Sequence, residues 1–373
     1  MQKEMSAGDA LLAGDVKLFE PVHPGEENTF FAYPSRRVPR FIAQSDDDAA
    51  LKFFATLVSA DRGVLGALLR FLVRMYFVPR LLARIFAERF VPLASHGGPS
   101  FTERVRQFVY DNRSALPRAA GELRVAKFCQ RIAGEDTKIL FLMTDEHGAL
   151  CIVKTMRSSA HDEKLRREAS AQRELAGAGI DSVPSVYFDG MIEGRYIYVE
   201  EAIDGMPVSR HTARAKEKEI VALVSRFPVH GSMSSPDIAA ILAGYAPEQD
   251  AHFAAALERL RSRNVTLKTG LTHSDLGRVN ILHGEKGLRI IDWGRANERP
   301  FYLIDAVYLL TRIRDIKNAD DWQKRGAPAL VVYTGIAQEA AEALYDILVA
   351  TEILYKKYPQ SYASVIRQFY KPT

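Results

Sequence analysis

The chain has 373 residues, 47% hydrophobic and 26% charged, with a formal net charge of +4. That is ordinary globular composition, long enough for two or three domains, and it excludes a disordered, collagenous or disulfide-stapled chain. The charge is too small and diffuse to argue for nucleic acid, and the two cysteines, Cys129 and Cys151, sit in apolar β-like runs that predict reduced core residues.

The first residues are polar and acidic and carry no signal-peptide pattern, so the cytosol is the expected compartment. Thr29–Tyr33 and Val38–Ile42 predict two short strands around Pro34-Ser35-Arg36-Arg37. Gly63–Phe90 is apolar, interspersed with Arg70, Arg74, Arg80, Arg84 and Arg89. It predicts an amphipathic helical region, either a hairpin bent at Pro79 or a basic helix on an anionic membrane surface. The arginines and Pro79 exclude a spanning helix.

Further on, Ile139–Thr144 and Leu150–Met156 are β-like runs around the turn Asp145-Glu146-His147-Gly148. Lys154 lies in the second, and a lysine in an apolar strand needs a partner, because an unpaired buried ammonium is costly. Asp162–Ala178 is charged and alanine-rich and predicts a helix carrying Glu163, Glu168 and Glu174. Arg195–Ala202 alternates aromatic and aliphatic residues as a strand and ends at the turn Ile203-Asp204-Gly205. Apolar spacing predicts helices over Pro236–Tyr245, Glu248–Arg261, Leu303–Arg314 and Ala337–Lys357.

The most specific signal is Leu271–Asn280 followed by Ile290–Gly294. It reads H-x-D-x-x-x-x-N through His273, Asp275 and Asn280, then D-x-G through Asp292 and Gly294. Asn280–His283 and Leu288–Ile291 predict a hairpin closed by Gly284-Glu285-Lys286-Gly287, which sets Asn280 opposite Ile291 and Asp292. Two oxygen ligands and a separate carboxylate at this spacing suit phosphoryl transfer, with Mg²⁺ on Asn280 and Asp292 and the acceptor hydroxyl on Asp275. Arg278, inside the same loop, joins the catalytic candidates.

The pattern resembles the aminoglycoside phosphotransferase and choline kinase-like branch of the kinase superfamily. One position departs: Ser274 stands where the family usually has glycine. The resemblance implies an α+β, bilobal protein kinase-like fold, with a small β-rich N-lobe over about 120–203 and a helical C-lobe over 204–373. Residues 1–119 precede it as an extra N-terminal α/β segment. It further implies ATP as cofactor beside Mg²⁺, with Lys154 on the nucleotide phosphates. Arg167-Glu168 to Leu175 matches the family's pattern for the lysine's partner, which selects Glu168 ahead of Glu174. Gly134 would lie in the phosphate-covering loop, and Glu200 and Ala202 would offer backbone contacts to adenine. Asp305 matches the family's acidic residue after D-x-G and would order the catalytic loop, which His273 would brace.

Only ten residues separate Gly294 from Asp305, and Ala327-Pro328-Ala329 is not A-P-E. A peptide-docking segment has no room, so the expected acceptor is a small hydroxylated molecule. Arg295, Arg299, Arg312 and Arg314 favour a sugar or anionic metabolite over a polycation such as an aminoglycoside. Two alternatives are a nucleotide-binding pseudokinase and a component of polysaccharide or glycolipid assembly. The latter would sit peripherally at the inner membrane surface through residues 63–90.

Overall fold

The computed structural model describes residues 19–21, 30–33, 41–44, 88–92, 101–118, 121–129, 136–245 and 250–369. The chain divides into two units, one of residues 1–169 and 184–204, the other of residues 170–183 and 205–373.

The first unit is built on a nine-stranded antiparallel sheet. Its strands are β1 (Phe19–Pro21), β2 (Phe30–Tyr33), β3 (Phe41–Gln44), β4 (Glu88–Pro92), β5 (Arg124–Cys129), β6 (Lys138–Asp145), β7 (Gly148–Met156), β8 (Val186–Ile192) and β9 (Arg195–Glu201). They run in the order β1-β4-β2-β3-β5-β6-β7-β9-β8. The β6–β7 hairpin turns at Gly148, whose φ of 105° few side chains tolerate. Helix α1 (Phe101–Asp111) packs Phe101, Val105 and Val109 into a core with Ile139, Phe141, Met143, Val153 and Val199. Cys151 lies in that core, and burial pushes its thiol up to about 12, so it is an inert thiol rather than a nucleophile.

Residues 88–90 fall in the stretch expected to be helical, yet Glu88–Pro92 is a strand held by β1 on one side and β2 on the other. Two ladders of backbone hydrogen bonds outweigh the apolar spacing that suggested a helix. The rest of that stretch, residues 63–87, lies outside the described residues. Among the described residues no helix is long and apolar enough to cross a membrane.

Helix α2 (Asp162–Gly177) starts with Asp162 and Glu163, which suit the positive end of the helix dipole. It ends in a Schellman closure. Ile180 N–H donates to Leu175 and Gly179 N–H to Ala176, with Gly179 at φ 72°. Leu165 and Ala169 on its first half pack with Met156, Tyr196 and Tyr198.

The second unit is mostly helical: α3 (Arg210–Ala215), α4 (Glu217–Val224), α5 (Ser235–Ala243), α6 (Ala251–Ser262), α7 (Ile304–Ile313), α8 (Ala319–Asp321), α9 (Ala327–Thr334), α10 (Gln338–Lys357) and α11 (Pro359–Phe369). Capping explains several starts. Ser234 accepts from Asp237 N–H ahead of α5, with Pro236 in its first turn, and Asp250 accepts from His252 and Phe253 ahead of α6. Residues 246–249 lie outside the described residues, so the expected start of α6 at Glu248 falls there. Two small sheets complete the unit. β10 (Met206–Pro207) joins the hairpin β13 (Ile281–Gly284) and β14 (Gly287–Ile290), while β11 (Val229–Ser234) pairs β12 (Thr266–Gly270). One core holds Trp293, Phe301, Trp322 and the inner faces of α4–α7, α9 and α10.

Candidate active site

In the second unit, the β13–β14 hairpin registers Ile281 opposite Ile290, and Gly287 at φ 90° turns it. One step beyond, Ile291 N–H donates to the Asn280 carbonyl at 3.0 Å, which sets Asn280 beside Ile291-Asp292. The Asn280 side chain donates through Nδ2 to the Asp275 carbonyl at 2.9 Å. That bond is made by the amide nitrogen and leaves Oδ1 as the acceptor end of the side chain. Asp292 is half-buried in the left-handed region, at φ 64°.

His273 ties the two strands of this loop pair together. Its Nε2 lies 2.9 Å from the Ile291 carbonyl, and its Nδ1 accepts from Asp275 N–H at 3.2 Å. Nδ1 must therefore offer a lone pair, which places the ring proton on Nε2. Its ring lies 4.8 Å from that of buried Trp293. Asp305, in the first turn of α7, accepts the backbone N–H of His273 at 2.6 Å and of Ser274 at 2.8 Å. Burial pushes its carboxyl up against the pull of these donors.

Ser274 adopts φ 63°, a conformation that favours glycine. Its hydroxyl explains the departure from glycine: Oγ lies 2.9 Å from Thr272 Oγ1 and accepts Arg299 N–H at 2.9 Å. The Arg299 guanidinium, almost fully buried, bonds the Ser274 carbonyl through Nη2 and Glu352 through Nη1 at 3.0 Å. Asn297 and Thr272 exchange two further bonds, at 2.8 and 2.9 Å. The loop is thus held from both sides, while the Asp275 side chain stays half-buried. Burial pushes the Asp275 carboxyl above the ordinary range, Arg295 pulls it back most, and Asp292 adds to the rise. Arg278 is half-buried in the short 3-10 turn Arg278–Asn280.

Of the four arginines that suggested an anionic acceptor, three are committed internally. Arg299 is described above. Arg314 pairs with Glu217, and Arg295 bonds Glu298 at 2.6 Å and Tyr362 at 3.0 Å while stacking on Tyr355. Arg312 is exposed and 3.9 Å from Glu352. A guanidinium already hydrogen-bonded in the fold is not offered to a ligand, so that argument for an anionic acceptor falls.

In the first unit, Lys154 on β7 is buried, and its ammonium lies 2.6 Å from Glu168 Oε1 on α2. Glu174 instead pairs with His230 at 2.5 Å, within the second unit. Two further charged side chains join this pair, Glu200 and Lys138, neither of which the motif indicates as a partner. Glu200 lies 2.7 Å away through its side chain, and Lys138 takes the other oxygen of Glu168 at 2.7 Å. Glu200, expected to offer backbone contacts, lies in an internal strand, opposite Ile152 on one side and Val186 on the other. Ala202 follows β9 directly and is half-buried. Gly134 lies outside the described residues.

Among the described residues no three His, Cys, Asp or Glu side chains gather as a metal site. An amide oxygen and a carboxylate still suit Mg²⁺, which keeps several waters and takes much of its shell from substrate phosphates.

No family model and no curated protein matches the chain. Several solved structures do. An aminoglycoside phosphotransferase from Streptomyces rimosus is 17% identical, with 68% of this chain and 99% of that one covered and a TM-score of 0.40. The choline kinase LicA from Streptococcus pneumoniae is 15% identical over 71% and 97% of the two chains, with a TM-score of 0.42. The macrolide 2′-phosphotransferase MphH from Brachybacterium faecium is 13% identical over 73% and 99%, with a TM-score of 0.45.

Proposed function

We propose that the chain is an ATP- and Mg²⁺-dependent phosphotransferase acting on a hydroxyl of a small molecule. The observation that carries this reading is the clamped loop of the second unit. Asp305, Ser274 and Arg299 fix the backbone around Asp275, leaving its carboxyl half-buried and with a raised pKa. A carboxylate made more basic by burial is suited to orient an alcohol and take its proton. His273 braces that loop. Asn280 Oδ1 and Asp292 would hold Mg²⁺, which neutralises charge on the transferring phosphoryl group. Lys154, fixed by Glu168, would hold the α- and β-phosphates, and Arg278 would serve at the acceptor side.

The small acceptor follows from the short path after D-x-G. Residues 295–303 are taken up by turns, and α7 begins at Ile304, so no segment is available to dock a peptide. The complete set of Lys154, Asp275, Asn280 and Asp292 favours an enzyme over a pseudokinase. The test is ATP consumption with Mg²⁺ across a library of hydroxylated metabolites. Acceptor-dependent ADP release that is lost in Asp275→Asn supports the reading. A chain that binds no nucleotide and consumes none with any acceptor removes it.

A further inference from the structure

Arg299 carries a buried guanidinium held by two of its three nitrogens. Nη2 donates to the Ser274 carbonyl, one residue before Asp275, and Nη1 donates to Glu352 on α10 at 3.0 Å. Among the described residues Nε has no hydrogen-bond partner, so those two bonds hold the group. The Arg299 side chain is 2% exposed and that of Glu352 17%. A guanidinium is planar and its donors keep a fixed fork, so anchoring one arm on α10 sets where the other arm points.

The charges follow the same route. Asp275, Asp305 and the Tyr362 hydroxyl also feel the attraction of Arg299. Asp305 is already bonded to the backbone N–H groups of His273 and Ser274. Asp275 is therefore the carboxylate to which Arg299 would turn if Glu352 were lost. Glu352 also faces Lys356 at 2.9 Å and Arg312 at 3.9 Å, but both of those are exposed to water. Screening makes those two contacts weak, so the buried Arg299 is the partner that depends on Glu352 most. A carboxylate captured by a guanidinium is a weaker base, and its oxygens are taken.

We infer that Glu352 is a positioning residue that acts through Arg299 on Asp275: it holds the guanidinium on the Ser274 carbonyl and takes up its charge, which keeps the Asp275 carboxylate available to a hydroxyl. This rests on the role proposed above for Asp275.

The experiment is a double-mutant cycle in the full chain, read by thermal unfolding from neutral to acidic pH. Each variant is also titrated with a fluorescent ATP analogue and Mg²⁺. At neutral pH Asp275→Asn should raise the melting temperature of the parent, because burial disfavours the ionised carboxyl. Glu352→Gln keeps an acceptor oxygen for Nη1 but no charge. In that background Asp275→Asn should gain roughly half as much or less, since Arg299 then favours the ionised Asp275. The other groups that act on Asp275, namely Arg295, His273 and Asp292, stay the same throughout the cycle.

The difference should vanish as pH falls. Burial opposes it, but Arg299 and Lys356 hold the Glu352 carboxyl below the ordinary range, so Asp275 protonates first. A Glu352 that served packing alone would give a difference that ignores pH, or none. Glu352→Ala, which also releases Nη1, should reduce the gain further; if it does not fold, Glu352→Gln decides. Both variants should bind the analogue with the parent's dissociation constant, because Asp275 acts on the acceptor. An equal or larger gain in Glu352→Gln, a difference independent of pH, or weaker analogue binding in Glu352→Gln would each overturn the inference while leaving the phosphotransferase reading intact. A parent chain that fails to bind the analogue defeats that reading itself, and this inference with it.

Discussion

The Asp305 carboxylate accepts the backbone N–H of His273 at 2.6 Å, across 32 residues of sequence. The loop around Asp275 therefore takes its shape from a helix that starts after the D-x-G turn. Asp305→Ala would leave two buried N–H donors, those of His273 and Ser274, without an acceptor. The expected cost is about 2–4 kcal/mol of stability, together with a fall in turnover. Chemical denaturation of the variant measures it, and a loss below about 0.5 kcal/mol would remove Asp305 from this role.

Ser274 offers a separate test of the same loop. Its left-handed backbone strains any residue with a side chain, while its hydroxyl bonds Thr272 and Arg299. Ser274→Gly loses the bonds and relieves the strain; Ser274→Ala loses the bonds and keeps it. The glycine variant should be the more stable of the two by roughly 1 kcal/mol. Equal or reversed melting temperatures would show that the left-handed strain is not felt.

Asp275 sets an expectation for pH. Its carboxyl must be ionised to accept a proton, and burial raises its pKa, so the acidic limb of kcat/KM should lie above the ordinary carboxylate range. Arg295 is the strongest opposing influence, so Arg295→Met should move the limb to higher pH. The stability consequence has the opposite sense. A carboxyl whose pKa is raised on folding costs nothing below its unfolded value and costs most above its folded one. Asp275→Asn should thus be more stable than the parent at neutral pH, with the advantage fading as pH falls toward the unfolded value. A limb in the ordinary range, or an Asn variant that melts lower at neutral pH, would contradict this.

The Lys154–Glu168 pair predicts strong coupling. Either single change to Ala should weaken nucleotide use, and the double change should cost less than the sum by at least about 1 kcal/mol. Strict additivity in the cycle would mean that the two side chains act separately.

The hairpin after Asn280 was legible in the sequence because turn glycines and short apolar runs fix local register. Asn280 fell beside Ile291 and Asp292 for that reason alone. The partner of Lys154 came from the family resemblance, whose pattern Arg167-Glu168 to Leu175 matches, and the structure pairs Lys154 with Glu168. Lys138 and the Glu200 carboxylate were not legible, because their meeting depends on which residues of β6, β7 and β9 lie opposite one another. Arg299 counts among the arginines expected to favour an anionic acceptor, yet it is buried and bonded within the fold. Its partners, Ser274 and Glu352, are 25 and 53 residues away in sequence. Strand β4 was hidden for a similar reason, since its partners β1 and β2 are remote.

The most direct test is Mg²⁺-dependent ATP turnover in the parent, Asp275→Asn and Asp292→Ala with one acceptor found by screening. Asp275→Asn should keep nucleotide affinity and lose on the order of 10²-fold or more in kcat, because it removes a group that acts on the acceptor. Asp292→Ala should abolish turnover and the response to Mg²⁺. An Asp275→Asn variant that turns over acceptor at the parent's kcat would contradict the account.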